Sequence, residues 1–308
     1  TDIDVLLAHN VSEEFTYKHE TIEKPRVGMI VLAPLRSGEK IGVITKVNSV
    51  LNDSKIKLKF IKEISPEYRL NSKMIKFLNW VSNYNLIDRG LVLKMILSHS
   101  KFYFKKKKTK ELTSNIKKNV KAIKLSLEQK RASQDILKIF QQRNFKPVLL
   151  DGVPGSGKTE VYFDVIKKFI KDGEQVLIMF PEVSLTGDFV NRIEERFGFS
   201  PVVWHSKIST AYKTKVLKSI IDGTSQIIIG ARSSLFLPYK NLSMIVLDEE
   251  HDSSYKQEEQ GIYHARDMSV VKSSIEDIPI ILTSATPSLE TIFNAVSYTH
   301  LRAHETEE

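Results

Sequence analysis

The run Gly152-Val153-Pro154-Gly155-Ser156-Gly157-Lys158-Thr159 holds the residue types that surround a triphosphate. Gly152, Gly155 and Gly157 let backbone N–H groups turn inward around phosphate oxygens, with Pro154 and Ser156 completing the loop, and a helix opening behind it adds the partial positive charge of its N-terminus. Lys158 is placed to reach the β- and γ-phosphates, and the Thr159 hydroxyl to ligate Mg²⁺. The rival reading is a glycine-rich turn that holds no nucleotide. A second group follows the apolar run Met244-Ile245-Val246-Leu247: the acidic sequence Asp248-Glu249-Glu250-His251. A buried strand presents its terminal carboxylates at the C-terminal edge of a sheet, where a Walker A loop also lies. There Asp248 would hold Mg²⁺, often through water, and Glu249 would orient and deprotonate the attacking water. An acidic loop that caps the next helix is the alternative.

These groups need elements that position them. Val148 to Leu150 reads as an apolar strand ahead of the glycine loop and Glu160 to Ile170 as the helix behind it. Further apolar strands are expected at Val176 to Phe180, Gln226 to Ile229, Met244 to Leu247 and Ile280 to Leu282. Continuous apolar strands alternating with helices belong to a parallel sheet covered on both faces. The first hundred residues differ. Short β-rich segments at Asp4 to Ala8, Arg26 to Pro34, Lys40 to Val47 and Lys57 to Ile64 suggest a small barrel, followed by helices from Asn71 to Tyr84 and Asp88 to Leu97. Met74, Phe77, Leu78 and Val81 recur there at helical spacing.

Charge divides the chain the same way. The formal net charge is +9, yet residues 101–124 alone carry ten lysines and one glutamate, and the acidic residues outnumber the basic ones beyond residue 124. A basic first third suits a polyanionic partner, although Lys105 to Lys108 also fit a solvated linker. The longest uncharged apolar run, Val27 to Leu35, is far short of the roughly 20 residues that span a bilayer, so no membrane partner is expected. With no cysteine and no basic, apolar secretory start, a cytoplasmic location is expected. The chain opens on Thr1, so its start is expected to lie upstream. Ser297 to Glu308 break the strand–helix grammar and read as a non-native tail.

Asp248-Glu249-Glu250-His251, followed by Thr283-Ser284-Ala285-Thr286, resembles motifs II and III of superfamily-two helicases. Phe180-Pro181-Glu182-Val183-Ser184-Leu185-Thr186, Ile229-Gly230-Ala231-Arg232-Ser233-Ser234-Leu235-Phe236 and Asp252-Ser253-Ser254-Tyr255-Lys256-Gln257 narrow the resemblance to the PriA family of replication-restart helicases. Phe15-Thr16-Tyr17, Val27-Gly28, Val31 to Pro34 and Ile41-Gly42-Val43-Ile44 resemble its 3′-DNA-end-binding domain, in which an aspartate commonly stands where Thr16 does. The resemblance implies a 3′-DNA-end-binding domain over residues 1–100, a Lys-rich linker over 101–125 and a RecA-like ATP-binding lobe over 126–296, with residues 297–308 as the tail.

It also implies roles. Gln129 would contact adenine, although Ser126-Leu127-Glu128-Gln129 equally fits a helix capping box. Thr283, Ser284, Ala285 and Thr286 would couple hydrolysis to movement. Arg232 and Ser233 would touch the DNA backbone. The stretch from Tyr255 to Arg266, with Tyr263 and His264, would sense single-stranded DNA through base stacking and pass the signal to Glu249; its aromatic residues also fit simple packing against the lobe. The implied cofactors are ATP and Mg²⁺, and the partners are branched and single-stranded DNA, primosome proteins and single-strand-binding protein. A zinc-binding cysteine cluster and a second motor lobe with its arginine finger are absent from the sequence, so a fragment of a longer 3′-to-5′ helicase is expected, with zinc in the missing C-terminal part. Two rivals stand beside it: a fork-binding adaptor that uses nucleotide only as a signal, and a translocase of another branch sharing motifs I to III.

Overall fold

The structure is a computed structural model that describes residues 1–20, 24–36, 38–48, 57–104, 120, 123–181, 187–259, 261–295 and 299–302. Its contacts separate the chain into two units, one of Thr1–Thr109 with Glu258–Ile262 and the other of Lys110–Gln257 with Tyr263–Glu308.

In the first unit five strands form an antiparallel sheet: β1 (Asp2–Leu7), β2 (Glu14–Lys18), β3 (Met29–Leu35), β4 (Gly38–Val47) and β5 (Glu63–Arg69), ordered β2-β1-β4-β3-β5. Alternation places Ile3, Val5 and Leu7 of β1 and Val31 and Ala33 of β3 on one face, where they bury against Tyr17, Ile44 and Ile64. The chain before β5 also bonds to the far edge of the sheet, with Lys18 N donating to Lys59 O at 2.9 Å and Ile61 N to Lys18 O at 3.1 Å. This contact turns the sheet toward the expected barrel. It also explains a difference: the strand expected at Lys57 to Ile64 is found at Glu63–Arg69, because the residues before it serve that closing contact and only Glu63 onward ladders with β3. Strand β2 escapes sequence reading because its apolar residues, Phe15 and Tyr17, are only two.

Helices α1 (Ser72–Asn85), α2 (Arg89–Ile96) and α3 (Ser100–Tyr103) follow. The Asn71 side chain caps α1 by accepting from Met74 N at 2.7 Å, and Met74, Phe77, Leu78 and Val81 are its buried stripe. Gly90 lets α2 approach the end of β1, since a Cβ there would stand 2.1 Å from His9 O. Most of the Lys-rich stretch lies outside the described residues.

The second unit is a parallel sheet with helices. In chain order its elements are α4 (Leu127–Ile139), β6 (Pro147–Asp151), α5 (Lys158–Phe169), β7 (Gln175–Met179), α6 (Gly187–Phe197), β8 (Val202–Trp204), α7 (Thr210–Asp222), β9 (Ile227–Gly230) and β10 (Leu242–Leu247). A two-stranded hairpin of β11 (Lys256–Gln257) and β12 (Tyr263–His264) precedes α8 (Ala265–Glu276), β13 (Ile280–Ser284), α9 (Leu289–Ala295) and β14 (Thr299–Arg302). The main sheet runs β14-β6-β13-β10-β7-β9-β8, parallel throughout. Val148, Leu149 and Leu150, like Met244 to Leu247, have no exposed surface, which is why these strands are apolar without alternation. The stretch set apart in the sequence as a tail contributes Thr299–Arg302 as the edge strand β14. No helix among the described residues is long and apolar enough to cross a membrane.

Candidate nucleotide site

Every expected chemical group of the second unit sits at the C-terminal edge of its sheet. The glycine loop leaves β6 and enters α5, with Gly155 at φ 86° and Gly157 at φ 78°, left-handed conformations that favour glycine. Gly157 is doubly constrained, because a Cβ there would lie 2.3 Å from Gln129 Nε2. Among the described residues no side chain caps the first turn of α5, so its amides remain available to an anion. The buried Ser156 hydroxyl likewise has no partner among them. The ammonium of Lys158 donates to Gly152 O at 2.7 Å and lies 3.8 Å from Glu249 Oε1. These features fit a polyphosphate.

Gln129 fits the capping-box reading and also reaches the glycine loop. Its Oε1 accepts from Ser126 N at 3.0 Å, completing the capping box of α4, and its Nε2 donates to Ser156 O at 3.0 Å, within the glycine loop. The capping box thus holds the amide against that loop.

Asp248 directly follows strand β10, and its carboxylate is almost fully buried. Its Oδ1 accepts from the Thr283 hydroxyl and from Glu249 N at 3.2 Å, and its Oδ2 accepts from the Tyr162 hydroxyl at 3.1 Å. Burial raises the Asp248 carboxyl above the usual carboxylate range, and the Glu249 charge adds to this, while Thr283, Tyr162 and Lys158 act the other way. Burial also pushes the Tyr162 phenol well above its ordinary value, which keeps it a proton donor. Among the described residues no cluster of three or more His, Cys, Asp or Glu could hold a metal. One carboxylate and the Thr159 hydroxyl do suit a hard cation that takes its other ligands from phosphate and water.

Glu249 adopts φ 48°, an uncommon conformation for a residue with a side chain, and its amide is held by Asp248 Oδ1 and Thr283 Oγ1. The strained turn sends its half-exposed carboxylate toward the cleft lined by Thr159, Phe180, Pro181, Arg192 and Asp248. Thr283 and Ser284 join both motifs: Glu250 N donates to Thr283 O at 2.9 Å, Gly152 N to Ser284 O at 3.2 Å, and His251 Nδ1 lies 2.7 Å from Ser284 Oγ. Thr286 N donates to Ser284 Oγ at 3.1 Å, and Ala285 continues the same turn.

The expected DNA-contacting residues are placed unevenly. Ser233 is exposed beside Arg232, whose guanidinium donates to Lys256 O at the start of the hairpin. Tyr255 and Tyr263 do not offer faces for base stacking, which corrects that expectation. Tyr255 has no exposed surface, and its hydroxyl lies 2.6 Å from Asp248 O and 3.1 Å from Met179 O, sharing its proton across two strand ends. Tyr263 packs edge-on against Phe236 with ring centroids 5.5 Å apart, and burial pushes its phenol up to about 12. His264 caps α8 by accepting from Arg266 N at 3.3 Å; burial and the Arg266 charge lower its pKa. Arg266 also turns inward, pairing with Asp267 at 3.0 Å and approaching Glu250 at 3.6 Å. The reason is shared: aromatic and guanidinium groups next to a sheet edge gain more from packing and charge pairing than from solvent. In the first unit, the Thr16 hydroxyl donates to Asp4 Oδ1 at 2.8 Å across the β1–β2 pair. Residues 182–186 of the expected Phe180 to Thr186 motif lie outside the described residues.

Sequence reading gave Tyr162 and Glu250 no role of their own. Tyr162 stands four residues after Lys158, a spacing that puts both on one helix face. Glu250 enters the sequence reading only as a member of the acidic run; it is fully buried and accepts from Ser288 N and the Thr291 hydroxyl.

A parallel sheet with a glycine loop, a strand-end carboxylate pair and a bonded Thr-Ser turn at one edge defines a RecA-like P-loop lobe. Residues 126–295 match the DEAD/DEAH box helicase family and residues 4–98 match the 3′DNA-binding domain. The replication restart protein PriA of Rickettsia felis is 39% identical over 269 residues, covering 87% of this chain and 40% of that protein. The PriA of Bacillus subtilis is 40% identical over 178 residues, 58% of this chain and 22% of its own length. That of Haemophilus influenzae is 46% identical over 159 residues, 51% of this chain and 22% of its own. A solved structure of RecG bound to a three-way DNA junction superimposes with a TM-score of 0.46 at 18% identity, covering 76% of this chain and 30% of that one. The chain belongs to the DEAD/DEAH box helicase family, and the match to the 3′DNA-binding domain together with the identity to these relatives supports a PriA N-terminal region. The chain spans 40% of the length of the Rickettsia felis relative.

Proposed function

We propose that this chain is the DNA-end-binding and ATP-binding part of an ATP-dependent 3′-to-5′ DNA helicase of replication restart, one that recognises stalled forks or D-loops and promotes primosome assembly. The supporting observation is the convergence of Lys158, Asp248, Glu249 and Thr283 at one sheet edge, with Glu249 held in a strained turn beside the Lys158 ammonium. The proposed parts are residues 1–100 for the DNA end, 126–296 for the motor lobe and the Lys-rich stretch for the DNA backbone.

In this reading the amides of the loop and of the α5 N-terminus bind the phosphates of ATP, Lys158 neutralises charge on the β- and γ-phosphates, and Gln129 contacts adenine from its place against the loop. Thr159 and Asp248 hold Mg²⁺, which when bound offsets the charge that develops on the phosphate oxygens. Glu249 accepts the proton of the attacking water. Thr283 and Ser284 transmit any shift of the acidic turn to the glycine loop through their bonds to both. Arg232 and Ser233 contact the DNA backbone, and the Tyr255 to Arg266 stretch senses the strand through its hairpin rather than through buried tyrosine faces. Single-strand-binding protein and primosome proteins are the proposed protein partners.

Steady-state ATPase of the full-length protein, with and without single-stranded DNA, tests this. Stimulation by DNA is expected; hydrolysis indifferent to DNA would favour a nucleotide-regulated adaptor.

A further inference from the structure

The Tyr162 hydroxyl lies where a purely structural tyrosine would not need one. Its ring is fully buried in the core of the lobe, edge-on to Phe163 at 5.2 Å between centroids, and a phenylalanine would fill that space as well. Side chains on a helix lean toward its N-terminus, so the phenol oxygen reaches back to the first turn of α5. There it donates to Asp248 Oδ2 at 3.1 Å. It therefore touches the carboxylate assigned to Mg²⁺.

A carboxylate offers about four lone-pair directions, two on each oxygen. On Asp248, Oδ1 is taken by the Thr283 hydroxyl and Glu249 N, and Oδ2 receives the Tyr162 hydroxyl. Among the described residues one acceptor direction remains, on Oδ2. With Thr283 and Glu249 N alone the carboxyl plane could swing about its Oδ1 anchor. The Tyr162 bond stops that rotation and points the remaining lone pair in one direction.

We infer that Tyr162 is a positioning residue for the divalent cation: its hydroxyl orients Asp248 so that the free lone pair of Oδ2 faces the cation or its water shell. The inference rests on the nucleotide-site reading above.

The test is equilibrium binding of a fluorescent ATP analogue to the 308-residue chain, titrated with Mg²⁺. In Tyr162→Phe the Mg²⁺ concentration at half-saturation should rise about tenfold or more, the scale seen when a group that orients a metal ligand is removed. Analogue affinity in excess chelator should stay within about twofold, because the phosphate-binding amides are untouched. In an Asp248→Ala background, removing the hydroxyl should change the Mg²⁺ dependence no further, since it acts through that carboxylate. Superimposable Mg²⁺ curves for wild type and Tyr162→Phe, or an equal loss in both backgrounds, would overturn the positioning role while leaving the nucleotide site standing. A wild-type chain whose analogue binding ignores Mg²⁺ would overturn the site reading and this inference together.

Discussion

The carboxylate of Glu250, with no exposed surface, lies 3.6 Å from the guanidinium of Arg266 and joins the acidic turn after β10 to the first turn of α8. The same carboxylate accepts from Ser288 N at 2.8 Å and the Thr291 hydroxyl at 2.9 Å, which ties that turn to the start of α9 as well. Removing one member of a buried charge pair leaves the other uncompensated, at a cost of about 3 kcal/mol. Arg266→Ala should lower the unfolding free energy by that order in urea titrations. A double-mutant cycle with Glu250→Gln should return a coupling well above about 0.5 kcal/mol, and a smaller value would mean that the pair is incidental.

Lys158→Ala should reduce ATP hydrolysis by roughly 10²–10³-fold or more, as expected when a charged donor aimed at the reacting group is lost. Fork affinity should remain nearly intact, because most DNA contact is assigned to the first unit and the lysines after it. A gel-shift titration run beside the ATPase assay decides this; parallel collapse of both would show the two functions to be inseparable.

Glu249→Gln should separate binding from chemistry. Lys158, Asp248 and the loop amides are unchanged, so ATP should still bind, while loss of the proton acceptor slows hydrolysis by about 10²–10⁴-fold. Filter binding of labelled ATP together with single-turnover hydrolysis measures the two steps, and weakened binding equal to that of Lys158→Ala would contradict the assigned roles.

The 308-residue chain should bind branched DNA without separating its strands, since one parallel-sheet lobe is present among the described residues and strand separation in this reading requires two lobes that close on ATP. The ten lysines of residues 101–124 should make the affinity strongly salt-dependent, with a slope of about −0.9 per neutralised phosphate on duplex DNA in a double-logarithmic plot. Fluorescence anisotropy at several salt concentrations, paired with strand displacement, checks both halves. Displacement by the chain alone, or a flat salt profile, would contradict this.

Lys272 gives a pH signature to stability. It is fully buried, its ammonium 5.7 Å from the centroid of the Tyr239 ring, and burial lowers its pKa to about 8 from 10.5 while Glu276 acts the other way. Between those values the unfolded chain holds a proton that the folded protein has shed, so this group makes stability rise with pH across that window. Lys272→Met should therefore be more stable than wild type at pH 7, by an amount on the order of 3 kcal/mol or less. The advantage should shrink as pH rises from 8 toward 10. Denaturant midpoints of the two proteins over that range would show it, and a constant difference would rule out titration of Lys272.

What could be read from the sequence was what is local to the chain. The glycine loop, the Asp248-Glu249 pair, the Thr283-Ser284 turn and the Asn71-capped helix are each set by residues within a few positions of one another. The apolar strands of the lobe were recognisable because burial on both faces leaves no polar alternation. Tertiary structure alone decided the rest. Tyr162 meets Asp248 across 86 positions, and Thr283 meets it across 35. Phe15 and Tyr17 become strand β2 only because β1 pairs with them. Tyr255 and Tyr263, read as a stacking surface, turn inward because their rings gain more by filling the lobe than by facing water, and the Tyr255 hydroxyl finds backbone carbonyls at the sheet edge to satisfy it. Residue type states what a side chain can bond to. Which bond it makes depends on groups that only folding brings within about 3 Å of it, the working range of a hydrogen bond.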